Sequence, residues 1–298
     1  MPFSYRPMLK TKTGEVVSLL HLSDAEKDRL APIFRVGEKP PAKFVASMSA
    51  AWAGRRCFFD GAFNFNVTGS SADFDTMFSA LGVSGVPVVP LIEIGAPAAY
   101  NQSAFGHIGQ FAPGLMLKCT PGHLPLAAGW VQQMGQQTAD ADLVVDAGHV
   151  AEFDPSSFAG YIGHILQANL PSGQWRSVTL ASSSAPKDFG QLAIGTSVVA
   201  RNDWMMWSRL QQGAMPVDFG DYGISHHDLT EPPGMAMAGA TVTGKLQYLR
   251  QMMLTRAPQG RLPFLTSAED LKQACAALSP DHREIVAREV DRLLEERK

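Results

Sequence analysis

A chain of 298 residues, of which 45% are apolar, can bury one large core or a core with a small appendage. Its formal net charge of -3 and its pI of about 6.2 provide no basic field, which argues against nucleic acid as a partner. The longest apolar runs, such as 86–94, are far shorter than the roughly 20 residues of a membrane-spanning helix. The first residues lack the basic and apolar regions of a secretory signal. We therefore expect a cytoplasmic protein without a membrane partner.

The number and spacing of the cysteines also favour a cytoplasmic location. Cys57, Cys119 and Cys275 are scattered along the chain and lack the spacing of a metal site. We expect free thiols in a core, as is usual in a reducing compartment.

Short apolar runs alternate with helical patterns along the first 222 residues. The nine predicted strands cover 5–10, 32–36, 57–60, 86–92, 115–118, 143–146, 177–180, 197–200 and 217–222. The predicted helices cover 14–30, 42–52, 71–81, 98–111, 124–134, 156–170 and 204–210, with a short helical turn near Phe189. Ser23 is a predicted N-cap inside the first helical stretch, and Asp154 with Pro155 predicts the start of the sixth.

Continuously apolar runs are typical of parallel strands that are buried on both faces. The alternation with helices therefore predicts an α/β fold, a (β/α)8 TIM-like barrel with extra C-terminal helices. An open doubly wound sheet is the alternative, because it produces the same local pattern. Nine candidates exceed eight barrel positions, so we expect either 5–10 or 217–222 to lie outside the barrel.

The predicted domain boundary follows residue 229. Residues 1–229 form the barrel domain. Residues 230–298 contain a Pro-, Gly- and Met-rich loop, a strand or hairpin over 241–249, and two amphipathic helices that start near 267 and 279. We expect these helices to pack on the barrel.

Polar residues end several of the predicted strands. They are Lys10, Asp60, Lys118, Asp146 and Arg201. Because the carboxyl ends of barrel strands form one face, these side chains are expected to converge on one mouth. Asp221 is expected at the same mouth, and the three carboxylates Asp60, Asp146 and Asp221 are the candidate catalytic residues. The alternative is a structural network in which the basic residues neutralise them.

Two local groups add candidates. Asp146 with His149 could bind a metal or act as an acid–base pair, or Asp146 could cap the next helix or bond loop amides, with His149 partly exposed. The stretch 219–228 places two glycines around an Asp–Tyr pair, which suggests close backbone approach or tight turns. His226 follows them as a possible acid, base or ligand.

The candidate binding residues are Lys10, Glu15, Lys118, His149, Ser184, Arg201 and His226. Ser184 lies in a run of serines that could hold a phosphate or carboxylate, or could be a polar loop. The sequence contains no Gly-rich phosphate loop, GxSxG elbow, HExxH or paired CxxC, so it identifies no cofactor and predicts no metal site.

An ordered set of segments resembles the beta protein family of tailed phages, whose members also occur widely in bacterial genomes. The segments are Tyr5-x-Pro7-x-Leu9-Lys10-x-Lys12-x-Gly14-Glu15, Pro32, Phe59-Asp60, Val145-Asp146, Ser182 to Pro186, Arg201-x-x-Trp204 and Phe219-Gly220-Asp221-Tyr222. The positions that match the family are Lys10, Glu15, Asp60, Asp146, Ser184, Arg201, Asp218 and Asp221. The resemblance covers about the first 225 residues. Arg35 departs from it, standing where the family tends to have an acidic residue, and the segment after residue 230 looks shorter than the family's usual end.

The resemblance implies a role in phage–host conflict, in which a beta protein counteracts the killing activity of a neighbouring gene product. It brings no established catalytic mechanism. The first hypothesis is therefore a binding or regulatory protein in antiphage defence or toxin neutralisation, whose partner is encoded by a neighbouring gene. The second is a hydrolase or lyase that acts on a phosphorylated or carboxylated, hence anionic, small molecule at the charged mouth.

Overall fold

The computed structural model describes residues 4–38, 40, 42–170, 175–186, 195–198, 200–213, 217–223, 226–228 and 261–264, with backbone alone at 13, 195–198 and 261–264. Ten strands lie in these ranges. They are β1 Tyr5–Lys10, β2 Ile33–Arg35, β3 Cys57–Asp60, β4 Val88–Glu93, β5 Leu115–Cys119, β6 Ala141–His149, β7 Ser177–Ser183, β8 Gly195–Val198, β9 Asp218–Asp221 and β10 Arg261–Phe264.

Eight of these strands close into a parallel barrel in the order β1–β2–β3–β4–β5–β6–β7–β9. The last strand pairs with the first, since Tyr5 lies opposite Phe219 and Pro7 opposite Asp221. The predicted α/β barrel is therefore confirmed, and the closed order excludes the open doubly wound sheet.

The prediction that either 5–10 or 217–222 lies outside the barrel was wrong. Both 5–10 and 217–222 contribute barrel strands, whereas β8, which overlaps the predicted strand 197–200, pairs antiparallel with β10 in a separate two-stranded sheet. A run of four residues has the same local pattern in either kind of sheet, because strand pairing is set by tertiary contacts rather than by periodicity.

The chain divides into two compact units. The first contains Met1–Ser183 and Asn202–Gly223, which include the whole barrel, and the second contains Ser184–Arg201 and Ile224–Lys298. This division differs from the predicted boundary after residue 229, because 184–201 belongs with the second unit.

Nine α-helices lie in the described ranges. They are α1 Thr13–Leu20, α2 Asp24–Lys27, α3 Phe44–Trp52, α4 Ala62–Thr68, α5 Ala72–Val83, α6 Ala98–Gly106, α7 Leu124–Gln133, α8 Pro155–Asn169 and α9 Asn202–Gln212. The predicted helix 14–30 is two helices, because Ser23 starts the second one with a reciprocal capping box to Glu26. The sequence did not predict α4. Asp154 caps α8 as expected, accepting a hydrogen bond from the Ser157 amide.

The barrel separates three apolar clusters. Its interior is filled by inward-facing residues, namely Met8, Ile33, Phe58, Val89, Leu91, Met116, Val144 and Ala181, with Tyr222 above them. The outward-facing residues pack against α1, α3, α5 and α6 on one side and against α7, α8 and α9 on the other. Cys57 and Cys119 are buried free thiols in these outer clusters, as predicted.

Several predictions lie outside the described residues. They are the helical turn near Phe189, the strand or hairpin over 241–249, the two C-terminal helices and Cys275. In the described part of the chain, every helix is too short or too polar to cross a bilayer.

Candidate functional site

Strand register brings a set of polar side chains to one level at the carboxyl end of the barrel. Lys10 lies opposite Arg35, Arg35 opposite Asp60, and Glu93 opposite Lys118. With Asp146 and Tyr222, these residues form the group that we call the mouth cluster. Its members continue the inward-facing rows of the barrel, because side chains alternate along each strand.

A buried ammonium joins two carboxylates in this cluster. Lys118 Nζ lies 3.1 Å from Asp60 Oδ2 and 2.9 Å from Glu93 Oε2. Asp60 also accepts a hydrogen bond of 3.0 Å from the Ala62 amide, at the start of α4. Arg35 Nε lies 3.9 Å from Asp60 Oδ2, the oxygen that Lys118 contacts. The ammonium therefore occupies the position between carboxylates that a divalent cation would use.

The charges in this group shift one another's pKa values. Burial would raise the pKa of Asp60, but Lys118 and Arg35 hold it below its ordinary value. Burial would lower the pKa of Lys118, but the two carboxylates raise it above its ordinary value. Burial raises the pKa of Glu93, against the attraction of Lys118. Lys118 is thus a cation rather than a neutral nucleophile at neutral pH.

Tyr222 crosses the mouth between opposite sides of the barrel. Its ring belongs to the interior cluster and lies 5.0 Å from the guanidinium carbon of Arg35. Its hydroxyl donates a hydrogen bond to Asp146 Oδ2, and the Gly148 amide donates one of 2.9 Å to Asp146 Oδ1. Burial, followed by the charge of Asp146, raises the pKa of Tyr222 well above its ordinary value. Tyr222 is therefore a fixed hydrogen-bond donor at the floor of the mouth.

Glu15 connects α1 to the end of β1. Its Oε2 accepts a hydrogen bond of 2.5 Å from the Lys10 amide. Burial raises its pKa to about 7, and the Lys10 amide and nearby positive charges only partly oppose that rise. Lys10 and Glu15, two of the positions that match the family, are thus in contact. The Glu15 carboxyl group has a pKa of about 7.

Asp221 does not join the mouth cluster, contrary to the expected convergence. It lies on the same face of β9 as Phe219, whose ring packs against Trp207 of α9. Its Oδ1 accepts hydrogen bonds of 2.5 Å from the Tyr5 hydroxyl and 2.9 Å from the Gly223 amide. The predicted glycine roles do hold: a side chain at Gly220 would meet Thr179, and Gly223 turns the chain with φ +59°.

The remaining candidates have different environments. His149 is partly buried at the end of β6, opposite Ser183. Ser184, Arg201 and His226 belong to the second unit, so Arg201 does not end a barrel strand as predicted. Ser184 is buried and Arg201 is exposed. His226 is partly buried and accepts a hydrogen bond of 3.1 Å from the Asp228 amide.

Sequence reasoning did not select Arg35, Glu93 or Tyr222 as site residues. Glu93 directly follows the predicted strand 86–92, so the rule that selected Asp60 and Lys118 also selects Glu93 when the strand is extended by one residue. Arg35 is the last residue of β2 and meets the same rule. Tyr222 gives no such signal, because it reaches the mouth from beyond the end of its strand.

Comparison with known proteins gives three results. No curated protein matches the chain. Among solved structures, a mutant tryptophan synthase alpha-subunit from the hyperthermophile Pyrococcus furiosus is similar, with 11% identity and a TM-score of 0.43 over 73% of this chain and 86% of that chain. A family model described as Beta protein matches residues 5–283. The match extends well past residue 225, where the resemblance in the sequence stopped. The chain therefore belongs to the Beta protein family.

Proposed function

We propose that the chain is a binding or regulatory protein in conflict between a bacteriophage and its host, acting in antiphage defence or in neutralising a toxin. The mouth cluster is its binding surface, and the partner is a protein encoded by a neighbouring gene. Membership of the Beta protein family supports a phage-related role.

The internal pairing of the carboxylates is the observation that favours binding over catalysis. Asp60 is paired with Lys118, and Asp146 accepts hydrogen bonds from Tyr222 and Gly148. A general acid or base must be within hydrogen-bond reach of the proton that it transfers. Groups whose oxygens are held by the protein instead shape a rigid charged surface, which suits recognition.

Co-purification tests this function. The tagged chain is expressed with its neighbouring genes, and the same experiment is done with Asp146→Lys at the mouth and with Asp24→Lys as a control. Asp24 is exposed on α2 and pairs with Arg55, away from the mouth cluster. We expect a neighbouring product to be retained by the wild type and the control and lost with Asp146→Lys. Retention by all three chains, or by none, would contradict binding at the mouth.

A TIM-barrel hydrolase or lyase that acts on an anionic small molecule is the second candidate. One observation favours it: burial raises the pKa of Glu93, whose side chain is 28% exposed and touches Lys118. A reachable carboxyl with a raised pKa beside an ammonium suits acid–base chemistry on a bound anion.

Phage plaque assays separate the two candidates. Glu93→Gln keeps the shape of the side chain, but the amide cannot donate or accept a proton as the carboxyl group can. If the protein is an enzyme, Glu93→Gln should reduce its protection against phage by about 100-fold or more, because an acid–base group is lost. A binding protein should keep most of its activity with Glu93→Gln and lose it with Asp146→Lys. Asp146→Ala and Asp221→Ala complete the test, since full activity in both would exclude these two residues as catalytic groups.

A further inference from the structure

The opposite end of the barrel, where the strands begin, carries a second charged group. Arg6 is the second residue of β1, Arg56 directly precedes β3, and Arg176 directly precedes β7. We call these three residues the arginine cluster. They surround the buried carboxylate of Asp142 in β6.

Among the described carboxylates, Asp142 is the one that contacts all three guanidinium groups. Its Oδ2 lies 2.6 Å from Arg176 Nη2 and 3.1 Å from Arg56 Nη2. Its Oδ1 lies 3.7 Å from Arg6 Nη2 and accepts a hydrogen bond of 2.5 Å from Ser177 Oγ. Asp218 is the second carboxylate, with Oδ2 3.3 Å from Arg6 Nε. Within the residues that the structure describes, three positive charges thus face two negative charges.

Two buried donors in the cluster have no acceptor within the described part of the chain. They are Arg6 Nη1 and Arg56 Nε. The Arg6 side chain is only 7% exposed. A buried charged donor without an acceptor is destabilising, so the cluster is incompletely satisfied as it stands.

The ring of Phe58 offers only partial compensation. The guanidinium carbons of Arg6 and Arg56 lie 5.2 and 5.1 Å from its centre. Burial, with smaller effects of Arg176 and Arg6, lowers the pKa of Arg56 to about 10 against the opposing effect of Asp142. Asp142 therefore offsets only part of the cost of burying the Arg56 guanidinium.

The sequence next to the cluster does not supply that charge. The segments 1–3, 171–174 and 214–216 border β1, Arg176 and β9, and none of them contains Asp or Glu. These segments therefore supply no carboxylate, which leaves a ligand, solvent or a distant part of the chain as the source of the acceptor.

We propose that the arginine cluster binds an oxyanion, a phosphate or carboxylate group, through the guanidinium groups of Arg56 and Arg176. Both side chains remain reachable from solvent, with exposures of 31% and 27%. Planar guanidinium forks match the oxygens of such groups with paired hydrogen bonds. Charged residues at this end of a barrel usually serve stability, but a purely structural network would balance its charges and its donors. The site lies at the other end of the strands from the mouth cluster, so it is independent of the proposed function.

Calorimetric titration of the full chain with inorganic phosphate, acetate and chloride at constant ionic strength tests the site. The variants are Arg56→Gln and Arg176→Gln, each of which removes one guanidinium. Arg55→Gln is the matched control, because Arg55 adjoins Arg56 in sequence, has a similar exposure of 29% and pairs instead with Asp24 and Asp28.

We expect saturable binding of phosphate or acetate by the wild type and by Arg55→Gln, with chloride binding more weakly. Arg56→Gln and Arg176→Gln should weaken it by about tenfold or more, the loss of one charge-assisted interaction. The oxyanion that binds more tightly identifies the ligand as a phosphate or a carboxylate compound. Circular dichroism checks folding, and if Arg56→Gln does not fold, Arg176→Gln decides. Binding that is equal in all folded variants, or no stronger for oxyanions than for chloride, would overturn the site.

Discussion

Lys118 is the single residue on which the mouth cluster most depends. Lys118→Met leaves Asp60 buried beside Arg35, whose Nε is 3.9 Å away. Removing one partner of a buried ion pair costs about 3–5 kcal/mol, because the other charge stays desolvated. Urea unfolding should show this loss. Lys27→Met at the end of α2 is the control, since loss of a surface charge costs about 0.5 kcal/mol or less.

The double variant Lys118→Met with Asp60→Leu separates pairing from packing. Removing both charges should recover part of the stability, because Asp60 is no longer a buried carboxylate without its ammonium, while Glu93 still lacks its contact with Lys118. A double variant that is no more stable than Lys118→Met would mean that the loss comes from shape and not from charge.

Glu15 should give the fold a pH dependence of defined sign. Its pKa is raised from 4.5 to about 7, so the folded chain holds the proton more tightly than the unfolded chain. Its contribution is fully present below pH 4.5 and is lost as the pH rises through about 7. The shift corresponds to about 3 kcal/mol.

Glu15→Gln should therefore gain stability relative to the wild type as the pH rises from 4.5 to 8. Urea unfolding at several pH values measures the difference. Glu26→Gln is the control: hydrogen bonds from Ser23 lower the pKa of Glu26 below 4.5, so the stability difference between this variant and the wild type should stay constant from pH 4.5 to 8. A difference between Glu15→Gln and wild type that is the same at every pH would refute the titration of Glu15.

At the scale of elements, β9 depends on a residue without a side chain. A Cβ at Gly220 would lie 2.9 Å from Thr179 Cγ2 and 3.1 Å from Ala181 Cβ on the neighbouring strand β7. Gly220→Ala should destabilise the protein by about 1–3 kcal/mol through overpacking. Adding Thr179→Ser removes the nearer methyl group and should restore part of the loss, as thermal unfolding would show.

Gly160→Ala is the matched control for this prediction. Gly160 lies inside α8 with open space around its Cα, so alanine should stabilise the helix by about 0.5–1 kcal/mol. If Gly220→Ala were as harmless as Gly160→Ala, close packing of β7 against β9 would not be the reason for glycine in this strand.

The elements also show how far sequence reasoning reaches. Apolar runs located all eight barrel strands, because burial on both faces leaves a clear local pattern. Strand pairing leaves no such signal, so the predicted strand 197–200, which overlaps β8, was assigned to the barrel instead of to the two-stranded sheet. At the site, strand ends located Asp60 and Lys118 correctly. Asp221 was misplaced because one residue of register turns a side chain from the mouth to the helix layer.

At the scale of the whole molecule, the barrel has no edge because its last strand pairs with its first. Asp218 ties the two together, accepting hydrogen bonds of 2.8 Å from the Ser4 amide and 3.3 Å from Arg6 Nε. In an open sheet an edge strand can open alone. In a closed barrel, opening the seam between β1 and β9 leaves backbone groups of both strands unpaired.

Asp218→Ala should therefore reduce amide protection in β1 and β9 together. Hydrogen exchange followed by mass spectrometry measures this effect, with an expected drop in opening free energy of about 1–3 kcal/mol in both strands. Asp24→Ala, at a side chain that is 83% exposed, should leave both strands unchanged. Faster exchange confined to residues 217–223, with β1 as protected as in the wild type, would show that β9 opens by itself. The seam would then contribute little to the stability of the barrel, because a strand that is needed for closure cannot open without exposing its neighbours.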